Sequence, residues 1–182
     1  TSLQADLSVM DILMDAGASL SQIDGDKGDI TVQRAPLKSF NVDASNCPDL
    51  FPIISILASF CQGTSRIAGV GRLANKESDR AKAILQILDQ MGVTAAIDAD
   101  ELAIEGHTLS QRLACRNLQG KDSALPGLLK GGNYTSHHDH RMVMALKVAA
   151  LGADSPITID DEACVAKSFP GFLETWNAAT GR

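Results

Sequence analysis

ILMDAGASLSQIDGDKGDITV, residues 12–32, is matched in pattern by ILDQMGVTAAIDADELAI, residues 87–104. Each begins in an amphipathic stretch, passes a glycine, and continues through two short apolar segments around an acidic turn. Leu3, Leu7, Met10, Ile12, Leu13 and Met14 recur at spacings near three and four, which predicts a helix over residues 3–16. Gly17 ends it, as the residue that most easily takes the left-handed C-cap conformation. Residues 18–23 and 30–33 then read as strands around the turn 24–29. In the second copy, Ala81, Ile84, Leu85, Leu88 and Met91 share one face of a helix over 77–90. Gly92 caps it, and 93–97 and 102–105 form the hairpin. The two glycines lie 75 positions apart.

A second pair extends the pattern. ISILASFCQGTSRIAG, residues 54–69, resembles MALKVAALGADSPITID, residues 144–160. Residues 40–43 read as a strand, 48–60 as a helix with proline in its first turn, and 65–70 as a strand. Residues 113–116 read as a strand, 121–133 as a Gly-rich loop, 139–151 as a helix, 156–160 as a strand, and 168–178 as a last helix. The repeating order is strand, helix, strand, helix, then further strands, in units of about 75–90 residues. Helices between strands imply parallel crossovers and an α/β fold. The first helix has no strand before it, so the repeat implies a unit whose opening strand lies outside this chain.

Composition narrows the function. The 182 residues are 45% hydrophobic and 21% charged, as in ordinary globular proteins. A chain this long builds a core without disulfide or metal. Aromatics are 4%, so aliphatic side chains fill that core. The net charge of -6 argues against nucleic-acid binding, which relies on Lys and Arg neutralising phosphates. Cys47, Cys61, Cys115 and Cys164 form no CxxC pair and read as buried thiols in a reducing compartment. Residues 1–10 lack the basic and apolar regions of a signal peptide. The longest apolar run, 53–60, is too short to span a bilayer and is broken by two serines. A cytoplasmic protein with no membrane partner is expected.

Four stretches concentrate polar chemistry. Asn75-Lys-Glu-Ser-Asp-Arg80 leads a helix, with Lys76 and Arg80 four apart on one face. The simplest reading is a cap and a solvated first turn. Cations there oppose the helix dipole, however, and suit a bound phosphate or carboxylate. His137-His-Asp-His-Arg141 has three histidines in four residues, but not at the spacing of two ligands on one helix face. The only other histidine is His107, so anion binding fits better than metal. Lys167 stands alone in Ala166-Lys-Ser-Phe-Pro170 and by itself reads as a solvated loop residue. Asp49, in a Pro-flanked helix start, is either a cap or a general base.

Taken in order, PDLFP, NKESDR, HDHRM and AKSFP resemble the motifs of the EPSP synthase family along essentially the whole chain. The resemblance implies a fold of repeated βαβαββ units with helices inside and sheets outward, an inside-out α/β barrel-like domain present in part. It implies that residues 1–182 form the C-terminal part of one enolpyruvyl transferase domain, with the N-terminal half of the enzyme as its missing partner. The implied reaction moves the enolpyruvyl group of phosphoenolpyruvate to the 5-hydroxyl of shikimate 3-phosphate and releases phosphate, without metal or organic cofactor.

By position, the resemblance makes Asp49 the contact to the shikimate hydroxyls and the base. Glu77 becomes the proton donor to the methylene, and His140 a hydrogen-bond partner of Glu77. Lys76 would line the shikimate phosphate or the attacking hydroxyl. Arg80, Arg141 and Lys167 would hold phosphoenolpyruvate in one open concavity. Arg72 stands where the family commonly has asparagine. The family's remaining anion-binding residues are not in this chain, so the fragment alone is expected to be nearly inactive. Two alternatives remain. One is UDP-N-acetylglucosamine enolpyruvyl transferase, which lacks the KESDR and DHRM pairing. The other is a non-catalytic anion-binding domain.

Overall fold

Gly17 and Gly92 both adopt positive φ, 90° and 77°. Each closes its helix in the same way. Gly17 N–H donates to Met14 O at 2.8 Å and Ala18 N–H to Leu13 O at 2.9 Å. Gly92 N–H donates to Asp89 O at 2.9 Å and Val93 N–H to Leu88 O at 2.8 Å. This pair of bonds, reaching back three and five residues, is a Schellman motif that satisfies the last carbonyls of a helix. The two copies also receive the chain that follows alike. Lys38 N–H donates to Ala16 O, and Lys130 N–H to Met91 O.

A computed structural model of the chain describes residues 7–22, 30–33, 35–73, 79–117 and 127–181. The elements are α1 (Ser8–Asp15), β1 (Ser19–Gln22), β2 (Ile30–Gln33), β3 (Asn41–Asp43), α2 (Phe51–Ser59), β4 (Gly63–Ala68) and α3 (Arg80–Gln90). They continue with β5 (Ala95–Asp98), β6 (Glu101–Gly106), α4 (Leu109–Asn117), β7 (Gly132–Tyr134), α5 (His140–Ala149), β8 (Ile157–Ile159) and α6 (Phe172–Thr180). From β3 to β6 the order is βαβαββ, one whole unit. Its sheet runs β3-β4-β6-β5, with β3 parallel to β4 and the other pairs antiparallel. The stretch α1-β1-β2 repeats the last half of that unit, with β1 and β2 paired antiparallel. The stretch β7-α5-β8-α6 repeats the first four elements, with β7 and β8 parallel.

Helices α2 and α5 lie inside, whereas α6 has no fully buried residue. Phe51, Ile54, Ile56 and Ala58 of α2 are buried, as are Met142, Val143, Ala145 and Leu146 of α5. These two helices are apolar nearly all round because they pack on each other as well as on strands. The strands alternate instead. In β6 Leu102, Ile104 and Gly106 are buried while the residues between them are not. Cys47, Cys61 and Cys164 are free and buried, and burial pushes the Cys61 thiol up to about 12. Among the described residues no helix is long and apolar enough to cross a membrane.

Four element assignments change. Residues 113–116 are not a strand but lie within α4. Thr108 and Gln111 cap that helix reciprocally: Thr108 N–H donates to Gln111 Oε1 at 2.7 Å, and Gln111 N–H to Thr108 Oγ1 at 3.2 Å. This capping box outweighs the short apolar run that read as β. The expected loop 121–133 contains β7 at its end, while 118–126 lie outside the described residues. The last helix starts at Phe172, because Gly171 has φ 81° and breaks the chain direction before it. The helix expected over 77–90 is seen from Arg80, with Asp79 as N-cap accepting Lys82 N–H at 3.2 Å.

Gly106, at the end of β6, lies against the last turn of α2. A Cβ there would run into the carbonyl oxygens of Ala58 and Cys61, both backbone atoms. Gly106→Ala should therefore destabilise the fold by about 1–3 kcal/mol, the cost of overpacking a site that cannot yield. Urea denaturation would register this as a lower midpoint with an unchanged slope.

Candidate active site

PDLFP, HDHRM and the last two residues of NKESDR, Asp79 and Arg80, each sit at the N-terminal end of a helix. Asp49 lies in the turn Pro48–Leu50 that leads into α2. Arg80 is the first residue of α3. Asp139 is the N-cap of α5, and His140 and Arg141 are its first two residues. The ends meet through side chains. Arg80 Nη1 donates to Asp49 Oδ1 at 2.9 Å. Arg80 Nε and Nη2 both donate to Asp139 Oδ2, at 2.8 and 2.6 Å. Arg141 Nη2 donates to Asp49 Oδ2 at 2.7 Å. The other oxygen of Asp139 accepts the Arg141 backbone N–H at 2.9 Å. Thus Asp49 takes one guanidinium on each oxygen, and Arg80 is shared by two carboxylates.

Burial divides the cluster into two parts. Arg80 is 3% exposed and Asp139 1%. The side chains of Asp49 and Arg141 are 26% and 30% exposed and form the solvent-facing rim. Arg80 was expected to point into an open concavity as an anion anchor. Its guanidinium is instead covered, with Nε, Nη1 and Nη2 all engaged by protein carboxylates. The reason is geometric: a planar fork of donors fills the gap between the α2 turn and the α5 cap.

His140 is half-buried, and its Nε2 lies 2.7 Å from Arg141 Nη1. Arginine only donates, so Nε2 accepts, and the ring proton of the neutral imidazole sits on Nδ1. Its expected partner Glu77, with Lys76, lies outside the described residues. Lys167 ends a 3-10 segment, Glu162–Lys167, that packs on α5 and is tied to it by Lys147–Glu162 at 2.8 Å. Its side chain is exposed. Its charge acts on the buried Cys164 thiol, which burial pushes up, with Asp161 and Asp139 adding to the rise and Lys167 opposing it. Arg72 is exposed, in a turn before residues outside the described set.

Asp139 is the participant that residue spacing did not single out. Its signal was present, since an aspartate at a helix start is a preferred N-cap. The pairing with Arg80, 59 positions earlier, has no local signature. The run before it is also unusual. His137 and His138 both have positive φ, 52° and 58°. His138 Nδ1 pairs with Asp161 at 2.7 Å. Among the described residues no group of three or more His, Cys, Asp or Glu is arranged to hold a metal.

Arg80→Ala should be more damaging than a surface charge deletion. It leaves the buried Asp139 carboxylate without its main partner, a loss of about 3–5 kcal/mol. Lys167→Ala, at an exposed position, should change stability by less than about 0.5 kcal/mol. Denaturant midpoints of the two variants against the parent measure the difference.

The chain matches the family described as EPSP synthase (3-phosphoshikimate 1-carboxyvinyltransferase) over residues 1–176. A relative named 3-phosphoshikimate 1-carboxyvinyltransferase from Methanocorpusculum labreanum is 39% identical over 171 residues, covering 94% of this chain and 35% of the relative. One of the same name from Clostridium botulinum is 35% identical over 180 residues, covering 99% of this chain and 37% of its own. The structure of EPSP synthase from Acinetobacter baumannii superposes with a TM-score of 0.75 at 31% identity, over 94% of this chain and 38% of that one. The enolpyruvyl transferase NikO from Streptomyces tendae shares the fold at 16% identity and a TM-score of 0.62, over 94% of this chain and 34% of that one. The chain spans a little over a third of the length of these curated relatives. With the βαβαββ repeat and the family's motifs gathered at three helix starts, the chain belongs to the EPSP synthase family.

Proposed function

We propose that this chain supplies one wall of an enolpyruvyl transfer site. In the whole protein that site moves the enolpyruvyl group of phosphoenolpyruvate to the 5-hydroxyl of shikimate 3-phosphate and releases phosphate. Residues 1–182 would form the later part of one domain, and the remaining residues of the longer protein would supply the opposite wall. The observation that carries this reading is the meeting of Asp49, Arg80, Asp139 and Arg141 at the starts of α2, α3 and α5. Helix N-termini favour negative charge. Bringing three of them together suits a small polyanion in an otherwise acidic protein.

The reaction needs a base for the attacking hydroxyl and an acid for the methylene carbon. Asp49 is assigned the first role, because it is an acceptor on the rim. Glu77 is assigned the second, with His140 as its hydrogen-bond partner by the family pattern, and Lys76 the shikimate side. Arg141 and Lys167 hold the carboxylate and phosphate of phosphoenolpyruvate, and Arg80 acts from beneath by holding Asp49. In the resting state Arg141 is bound to Asp49. An anion that draws the Arg141 fork to itself frees Asp49 Oδ2 to accept the substrate hydroxyl, so that filling one subsite prepares the other. Holding both substrates together supplies most of the advantage, about 7–11 kcal/mol when orientation is complete. The chain alone holds only one of them.

Turnover decides the assignment. The chain alone should release no phosphate above background. Mixed with the separately made remaining portion of a family enzyme, it should do so only with both substrates present, and Glu77→Ala should abolish it. Release by the chain alone, dependent on both substrates, would overturn the division of the site.

Calorimetry with phosphoenolpyruvate at low salt tests the exchange of partners. Asp49→Asn should tighten binding about fivefold, since a part-exposed ion pair competing for Arg141 is worth roughly 1 kcal/mol. Arg141→Ala should weaken it, and added salt should weaken both. Equal affinities in all three proteins would remove Arg141 from the site.

A further inference from the structure

We propose that Asp160 is a positioning residue for this site, acting through Ser136 and the turn 136–139 on Asp139, and through Asp139 on Arg80 and Arg141. Its relevance to catalysis rests on the function proposed above; its mechanical role does not.

Asp160 follows β8 and is exposed, yet its carboxylate gathers the segment that leads into α5. Oδ1 accepts Ser136 N–H and Ser136 Oγ–H, both at 2.9 Å, and the Asp161 N–H at 2.8 Å. Oδ2 accepts Thr135 Oγ–H at 2.6 Å. The Asp160 N–H donates to Tyr134 O at 3.2 Å. The two hydroxyls that Asp160 orients then act as acceptors for the next residues. Thr135 Oγ1 takes His137 N–H at 3.3 Å, and Ser136 Oγ takes His138 N–H at 3.2 Å. Ser136 O takes Asp139 N–H at 3.0 Å. Each residue from 135 to 139 is therefore bound directly to Asp160 or to a group that Asp160 holds.

The turn needs such a clamp. His137 and His138 are consecutive left-handed residues with side chains. That conformation costs energy at each and persists only where surrounding bonds enforce it. Released, the pair would relax toward right-handed or extended backbone, and the Asp139 carboxylate would swing away from Arg80. Ser136 and Asp139 are both fully buried, so a shift in one is transmitted to the other rather than absorbed by solvent. Four donors on one carboxylate also hold Asp160 down at about 2, so the clamp stays charged at any physiological pH. Asp160 itself makes no ion pair with Arg80 or Arg141 among the described residues.

Hydrogen exchange at two buried arginines tests this in the 182-residue chain. Arg80 Nε–H reports the pairing with Asp139. Arg112 Nε–H is an internal control: Arg112 is buried elsewhere, with Nε donating to His107 O at 3.1 Å and Nη2 to Ser59 O at 2.9 Å. In Asp160→Ala, Arg80 Nε–H should exchange about tenfold faster relative to Arg112 Nε–H, the scale of a lost charge-assisted bond. Asp160→Asn keeps an acceptor for Ser136 and should restore most of the protection. Thr135→Val removes one strut and should shift the ratio the same way by about threefold, which carries the test if the alanine variant unfolds.

An unchanged ratio, whether both protons accelerate equally or neither does, would show that Asp160 contributes only general stability or nothing. Phosphoenolpyruvate titration of the same proteins forms the second arm. Weaker binding in Asp160→Ala ties the clamp to the site. If the parent chain binds no phosphoenolpyruvate, the anion-site reading fails while the exchange ratio still decides the role of Asp160.

Discussion

The meeting of three helix starts in this chain depends on the burial of one guanidinium. Arg80 is closed off from solvent and lies between the carboxylates of Asp49 and Asp139. An unpaired charge there would not be tolerated, and even a paired one gains little net stability once desolvation is counted. What the arrangement secures is position. Arginine presents donors in a rigid plane, so satisfying Nε, Nη1 and Nη2 together sets the distance and angle between the α2 turn and the α5 cap. A lysine could neutralise one carboxylate but could not hold two at fixed separation. Two aspartates and two arginines also cancel in charge, which lets an acidic chain keep the cluster assembled without a ligand.

The repeat explains why these groups can meet. β3 and β4 are parallel, as are β7 and β8, so each pair needs a helical crossover, α2 in one and α5 in the other. The two helices are equivalent elements of successive units and pack on each other through small and aliphatic side chains. The Asp49–Arg141 contact places their N-terminal ends together. α3 is the next helix of the complete unit and brings its own start to the same place. Because the same end of a helix faces the site each time, the dipoles add rather than oppose. The cluster is a product of unit geometry.

Much of this was legible in the residues and some was not. The Gly17 and Gly92 caps predicted the repeat because a C-cap glycine has one conformational use, and both show identical hydrogen bonding. The buried helices α2 and α5 were readable because they lack a polar face. Asp49, Arg80 and Arg141 were named from their motifs, and the structure does bring them together. The depth of Arg80 was not readable, since burial of a charged side chain depends on partners 31 and 59 positions away. The strand expected at 113–116 failed for a local reason. Four apolar-leaning residues do not distinguish β from helix, whereas the Thr108–Gln111 box does and sits outside that window. Asp139 was hidden by its neighbours: in a run of histidines it reads as part of a metal or anion motif rather than as a cap.

The division between a buried pair and a half-exposed pair bears on how such a site could work at all. Arg80 and Asp139 cannot exchange partners without exposing a charge to the core, so they form the fixed part. Arg141 and Asp49 sit at the rim, where water screens the cost of separating them. Only this outer contact can open without exposing a buried charge, and Asp49 would stay held from behind by Arg80. A cluster in which all four residues were exposed would lose its geometry with each binding event. One in which all four were buried could not admit a substrate. The graded burial lets two of the charges move while the other two keep the helix ends in place, and the Asp160 clamp on the turn before α5 belongs to the part that stays fixed.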